Sequence, residues 1–172
     1  MDNKIACAEK AIEKSRVLDE LKAYSPEVVS TIFIGLDTKA SDIDIACTYE
    51  EQKVFVEDFN LAFSARESYS LRLYEDHAVG RFYYDRFLFE IYASKIPVQM
   101  QAAYRHYQVM QRLVKGGGER LKTRIRQLKE SGFKTEPAIC CLMGLSGEPY
   151  AAVLELERWS DKEIEEHVSK SL

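Results

Sequence analysis

The chain has 172 residues, of which 46% are hydrophobic and 30% charged, and its net charge is −4. A chain of this length buries about 70% of its unfolded surface, so we expect one domain, or one domain with a helical extension. The net negative charge argues against strong general nucleic-acid binding. The N-terminus lacks the pattern of a secretory signal and no apolar run is long enough to span a membrane, so we expect a cytoplasmic protein without a membrane partner.

The four cysteines indicate a reducing environment. They contain no Cys-x-x-Cys pair, and two of them, Cys140 and Cys141, are adjacent in the chain. Adjacent cysteines rarely bridge to each other. We therefore expect all four to be small buried apolar residues in a reducing cytoplasm.

Helical and extended patterns alternate in the first part of the chain. Apolar residues recur at helical spacing over residues 3–23, and Ser25-Pro26 ends this predicted helix. Residues 28–34 and 42–48 predict two strands, and the short loop between them makes them antiparallel neighbours. Over residues 50–63 three phenylalanines stand four positions apart, which predicts a helix with one aromatic face.

About three further strands are predicted over residues 68–93. Two aromatic runs flank Asp85-Arg86, which has the character of a tight turn. Side chains alternate between the two faces of a strand, so Glu90 is expected on the face opposite to Phe89 and Ile91. A carboxylate in such an apolar strand is costly unless it is paired or exposed.

From residue 97 onward the pattern is helical. One predicted helix ends at Gly116-Gly117-Gly118, which we interpret as an interhelix turn because no P-loop lysine follows it. Further helices are predicted over residues 119–131, 136–143, 149–158 and 161–169. The sequence therefore predicts an α+β fold. In it, residues 1–96 form a mixed sheet flanked by helices, and a helical region, residues 97–172, packs on that sheet.

The most informative motif is Asp42-Ile43-Asp44-Ile45. In a strand, both carboxylates would lie on one face while both isoleucines enter the core. Two carboxylates held this close repel each other, and a hard divalent cation such as Mg²⁺ is the usual partner. An Asp-x-Asp pair is also common on a solvated strand face, so the pair alone leaves both interpretations open.

The order and spacing of these residues resemble the nucleotidyltransferase superfamily, which has the polymerase-beta-like fold. There a Gly-Ser turn follows the first strand, a second glycine comes four residues later, and Asp-x-Asp and a third carboxylate follow. Here Thr31 stands at the serine, Gly35 at the second glycine and Glu90 at the third carboxylate. Ser30 stands where the superfamily has the first glycine.

The chain resembles one uncharacterised bacterial family more closely, the domain of unknown function 4269. The resemblance covers most of the chain after residue 20. Its matching segments are residues 41–45, 89–91, 101–106, 132–137 and 144–150. It implies a fold and a candidate site but no substrate.

The superfamily resemblance implies a site that uses Mg²⁺ or Mn²⁺. Asp42, Asp44 and Glu90 are the expected metal ligands and catalytic residues. The expected reaction moves a nucleoside monophosphate from a nucleoside triphosphate to a hydroxyl of a small molecule, a protein or an RNA. The nucleotide-binding candidates are Ser30, Thr31, Gly35, Lys39, Ser41, Arg105 and Lys134.

Several alternatives stay open at this point. The same fold could be a catalytically weak or inactive module that binds a nucleotide or a partner, including an all-helical partner protein. Arg105 suits a solvated helix face as well as a phosphate contact, and Lys134 suits a helix-capping loop. The basic stretch at residues 115–134 is typical of a solvated helix face, with RNA or an acidic acceptor as the alternative ligand.

Overall fold

A computed structural model describes residues 3–172. The contacts along the chain divide it into two compact units. The first unit takes in the chain up to Ile32 together with residues 41–104. The second takes in residues 33–40 and 105–172.

A mixed sheet forms the first unit. Within residues 3–172 the sheet has five strands in the order β1-β2-β5-β4-β3. β2 and β5 run parallel, and every other neighbouring pair is antiparallel. The predicted α+β fold with a mixed sheet and flanking helices is therefore confirmed. The strands are β1 (Glu27–Val28), β2 (Ile43–Thr48), β3 (Glu67–Leu73), β4 (His77–Tyr84) and β5 (Phe87–Ser94).

The first predicted strand is wrong over most of its length. β1 ends at Val28, and Thr31–Ile34 form a 3₁₀ helix instead of continuing the strand. The Ser30 hydroxyl explains the change of direction. It accepts a hydrogen bond from the Ile32 amide at 3.4 Å. Such local bonding by serine competes with the regular hydrogen-bond ladder of a sheet.

The first predicted helix is interrupted. It consists of α1 (Lys4–Ser15), α2 (Val17–Glu20) and a 3₁₀ turn at Lys22–Tyr24, and Arg16 between the first two has a φ of 59°. The Ser15 hydroxyl donates to the Ile12 carbonyl and accepts from the Val17 amide, which supports the break. The chain leaves helical geometry before Ser25-Pro26, as predicted.

The aromatic face of α3 (Gln52–Phe63) covers one face of the sheet. Phe55, Phe59 and Phe63 are all buried, which confirms the predicted face. The Phe63 ring stacks on Phe82 of β4 at 4.8 Å between centroids, and Phe82 stacks on Phe89 of β5 at 5.1 Å. This core face fixes β4 and β5 next to each other, so their remaining side chains point to the opposite, more polar face.

Helices make up most of the second unit. They are α4 (Ala102–Glu130), most of which belongs to this unit, α5 (Thr135–Met143), α6 (Pro149–Glu155) and α7 (Asp161–Ser171). α4 has a kink at Gly118, where φ is 55° and ψ is −153°, while Gly116 and Gly117 remain helical. The predicted interhelix turn is thus a kink at a single glycine. None of the helices described in residues 3–172 has the length and apolar character to cross a bilayer.

The four cysteines are free thiols in two different settings. Cys47 and Cys140 are buried, as predicted, and burial raises the pKa of the Cys47 thiol to about 12. Cys7 is half-buried and Cys141 is exposed, so the prediction of burial is wrong for these two. Consecutive residues of an α-helix differ by about 100° in direction, so Cys141 lies on the exposed side of α5 although its neighbour Cys140 is buried.

Candidate functional site

Two of the predicted carboxylates lie side by side on adjacent strands. The parallel register of β2 and β5 pairs Asp44 directly with Glu90. Both residues are half-buried on the face opposite to the aromatic core, while Ile43 and Ile45 are fully buried. The expected alternation of acidic and core residues along this strand is therefore confirmed.

The chain before β2 is fastened to the acidic strand by two hydrogen bonds. The Ser30 hydroxyl donates to the Asp42 carbonyl at 2.7 Å, and the Val29 amide donates to the Asp44 carbonyl at 2.9 Å. Ser30 is completely buried, so its hydroxyl serves the backbone that carries the two aspartates. Thr31, next in the chain, is half-buried. Nucleotide contacts by Ser30, Thr31 and Ser41 remain predictions.

Glu90 has a cationic partner that the sequence analysis did not identify. The Arg81 Nε donates to Glu90 Oε2 at 2.6 Å, and Arg81 Nη2 also donates to this oxygen. Arg81 lies on β4 directly opposite Glu90 on β5. This pair could have been predicted from the sequence. A two-residue turn at Asp85-Arg86 fixes the register of the two strands, and that register places Arg81 opposite Glu90.

The donor chemistry of the three carboxylates suits a hard cation, which prefers oxygen ligands. The positions of the side chains do not yet form a complete metal site. Among residues 3–172, no group of three His, Cys, Asp or Glu side chains is arranged to hold a metal ion. The ion pair to Arg81 engages Glu90 instead. The metal role of Asp42, Asp44 and Glu90 therefore stays a prediction.

Gly35 and Lys39 belong to the second unit, where one lysine of α4 bonds to the same loop and the stem of another lies beside it. Gly35 has a φ of 72°, and a β-carbon there would lie 3.1 Å from Cδ of Lys122. The Lys129 Nζ donates to the Leu36 carbonyl at 2.6 Å. Lys39 is exposed. The basic stretch is therefore not only a solvated face, because Lys129 bonds to this loop, while the ammonium group of Lys122 pairs with Glu119.

Arg105 forms a two-pronged ion pair with Glu157. Its Nε donates to Oε1 at 3.0 Å and its Nη2 to Oε2 at 2.6 Å. The hydrogen bond from Arg105 lowers the pKa of Glu157, against an opposing effect of desolvation. Arg105 is thus an ion-paired residue in this structure, and a phosphate contact by its side chain stays a prediction.

Lys134 stands at the N-cap position of α5, and its side chain is exposed. Its carbonyl accepts the first helical hydrogen bond from Ala138 at 3.0 Å. The predicted helix start is therefore confirmed, while an anion contact by the side chain stays a prediction.

Comparison with known proteins identifies the family. The family described as a domain of unknown function, DUF4269, matches residues 10–156. This chain belongs to the DUF4269 family. No curated protein sequence matches it.

Solved structures share the fold of this DUF4269 protein. The Cid1 poly(U) polymerase with MgGTP bound superposes with a TM-score of 0.60 and 17% identity, over 89% of this chain and 49% of that chain. A cytoplasmic RNA terminal U-transferase gives a TM-score of 0.58 and 16% identity, over 91% of this chain and 48% of that one. Cid1 in complex with its short product ApU gives a TM-score of 0.59 and 15% identity, over 89% of this chain and 48% of that chain.

These similarities support the fold that the sequence motif indicated. The chain spans about half the length of the solved structures that it matches. At 15 to 17% identity the resemblance identifies a nucleotidyltransferase-like fold and does not extend to activity.

Proposed function

We propose that this DUF4269 protein binds a nucleoside triphosphate with Mg²⁺ or Mn²⁺ and transfers its nucleotidyl group to an acceptor hydroxyl. The observation that carries the proposal is the in-register pair of Asp44 and Glu90 on one sheet face. Asp42 stands two residues before Asp44, in a segment fixed by Ser30. This is the carboxylate order of the nucleotidyltransferase signature, in a chain with that fold.

In this proposal the three carboxylates hold the metal, and the bound metal supplies charge neutralisation for the phosphates and for the leaving group. The acceptor oxygen forms a bond to the α-phosphorus, the bond to the β-phosphate oxygen breaks, and pyrophosphate leaves. In this proposal Glu90 also helps to remove the proton of the acceptor hydroxyl. Reactions of this class depend mainly on positioning and charge neutralisation.

We choose the nucleotide and the metal of this proposal by analogy with the solved structures of similar fold. Those structures carry MgGTP and MgATP, and one contains the product ApU. An RNA end is therefore the first acceptor to test, followed by small molecules and proteins. An all-helical partner protein remains a further hypothesis.

A second candidate function is favoured by the ion pair between Arg81 and Glu90. If this pair persists when ligand binds, Oε2 of Glu90 is not available to a metal. The protein would then bind a nucleotide or a partner through the same fold with little or no turnover.

A transfer assay separates the two functions. The full chain is incubated with Mg²⁺ or Mn²⁺, a short RNA and ATP, GTP, CTP or UTP labelled on the α- or the γ-phosphate. The nucleotidyltransferase passes only the α-label to the acceptor, and Asp42→Asn/Asp44→Asn abolishes the transfer. A matched control, Glu67→Gln/Glu75→Gln, removes two exposed carboxylates of the same unit and should keep it.

Nucleotide binding without label transfer to RNA, small molecules or protein would favour the second candidate. Transfer of the γ-label, or transfer that survives the double aspartate substitution, would refute the proposed chemistry.

A further inference from the structure

Three charged residues form a row across the polar face of the sheet. Asp44 of β2 pairs in register with Glu90 of β5, and Glu90 pairs in register with Arg81 of β4. Residues that are directly opposite each other on neighbouring strands point to the same face, so their side chains are within reach of one another. Glu90 is therefore the central member, with a carboxylate on one side and a guanidinium on the other.

The side chain of Glu90 forms an ion pair with Arg81. Both guanidinium contacts go to the same carboxylate oxygen, Oε2. The pair is only partly shielded, since 44% of the Arg81 side chain and 28% of the Glu90 side chain are exposed. Two neighbouring carboxylates need a counter-charge, and Arg81 supplies one in this structure.

We propose that Arg81 is an exchangeable counter-ion that holds Glu90 until a metal ion binds and then pairs with a phosphate of the ligand. The inference rests on the proposed function, because it needs Glu90 to serve as a metal ligand. Arg81 is on this account a positioning residue for Glu90 and a binding residue for the nucleotide.

Charge favours both steps of the exchange, the release of Arg81 from Glu90 and the pairing of Arg81 with a phosphate. A divalent cation beside Asp44 and Glu90 repels a guanidinium that stays on the same carboxylate. Once released, Arg81 still lies on the same sheet face, one strand away, and its planar set of donors matches a phosphate group. The partial exposure of Arg81 leaves it room to move without opening the core.

The account predicts opposite effects of one substitution on two ligands. In Arg81→Gln, Mn²⁺ alone no longer has to displace an ion pair, so it should bind about three- to tenfold more tightly, the range expected for a partly exposed charged pair. A non-hydrolysable UTP or ATP analogue, added with saturating Mn²⁺, should bind about three- to tenfold more weakly because its phosphate loses a partner. A purely structural role for Arg81 would not move the two affinities in opposite directions.

Electron paramagnetic resonance of free Mn²⁺ and calorimetry of the analogue provide the two readouts on the full chain. Arg72→Gln is the matched control, because Arg72 lies on the same sheet face one strand further out and pairs in register with Val79 instead of Glu90. Arg81→Lys keeps the charge and loses the planar donors, so it should show intermediate affinities. Far-UV circular dichroism confirms that each variant is folded.

The results distinguish a failure of the Arg81 exchange from a failure of the metal-dependent function. If Arg81→Gln binds Mn²⁺ no more tightly than Arg72→Gln, while the wild type binds Mn²⁺ and Asp42→Asn/Asp44→Asn does not, the exchange is refuted and the metal site survives. If no variant and no wild-type protein binds Mn²⁺, the metal-dependent function and the exchange both fail. If the affinity for the analogue is unchanged in Arg81→Gln, the phosphate contact is refuted.

Discussion

The close approach of α3 to the sheet can be tested at a single glycine. Gly80 lies on β4, and a β-carbon added there would stand 2.2 Å from Cζ and 2.4 Å from Cε1 of Phe59. The Phe59 ring cannot move aside easily, because it is buried and stacks on Phe55 at 5.5 Å and packs against Phe63 at 4.8 Å. Gly80→Ala therefore forces an overpacked core.

Overpacking of this kind costs about 1–3 kcal/mol, and the better strand propensity of alanine returns about 0.5–1 kcal/mol. A contact of 2.2 Å puts the cost in the upper half of the overpacking range, so we expect Gly80→Ala to lower the free energy of unfolding by about 1–2 kcal/mol. With a urea dependence of about 2 kcal/mol per molar, the midpoint of urea unfolding should fall by roughly 0.5–1 M. Far-UV circular dichroism measures this midpoint.

A double-mutant cycle tests the stated cause. Phe59→Leu removes the ring atoms that the new β-carbon would meet, so Gly80→Ala should cost less than about 0.5 kcal/mol in that background. If Gly80→Ala has the same effect with and without Phe59→Leu, or if it stabilises the wild type, the argument from close packing is wrong.

Three smaller predictions concern the site and its surroundings. Ser30→Ala leaves the Asp42 carbonyl without its donor and should lower the free energy of unfolding by about 1–2 kcal/mol in urea unfolding. Gly35→Ala should cost about 1–2 kcal/mol in the same assay because alanine disfavours a φ of 72°. For Glu157, whose pKa Arg105 lowers, the stabilisation is complete above the ordinary value of 4.5 and is lost as the pH falls through the lowered pKa. The difference in stability between wild type and Glu157→Gln, below about 1 kcal/mol at pH 7, should therefore vanish in acid unfolding curves.

Periodicity was sufficient for most elements of the fold. β2 to β5, α3 and the helices after residue 130 follow from alternating or helical apolar patterns, because burial of one face decides these elements. The errors at the first helix and the first strand occurred where serine side chains bond to the backbone. Ser15 interrupts the first helix and Ser30 ends the first strand early, and neither effect is visible in the apolar pattern.

The candidate site was predictable in its acidic residues and not in their partners. Alternation predicted that Asp44 and Glu90 each lie on the non-core face of their own strand, and the parallel register of β2 and β5 pairs them. Arg81 was missed because the sequence analysis did not extend the register from the hairpin turn. Partners distant in sequence, such as Glu157 for Arg105, depend on the tertiary fold and leave no local signal.

The central claim is a nucleotide site that needs a metal and the two aspartates. Its most direct test is the melting temperature of the full chain with and without ATP, GTP, CTP or UTP, each with Mg²⁺ or Mn²⁺. A ligand at a hundred times its dissociation constant adds about 2.7 kcal/mol to the stability, which raises the melting temperature by about 5–10 °C in a protein of this size. The account predicts such a rise with at least one nucleotide, only with metal, and its loss in Asp42→Asn/Asp44→Asn. A folded protein whose melting temperature responds to none of the four nucleotides, or equally in the double variant, would contradict it.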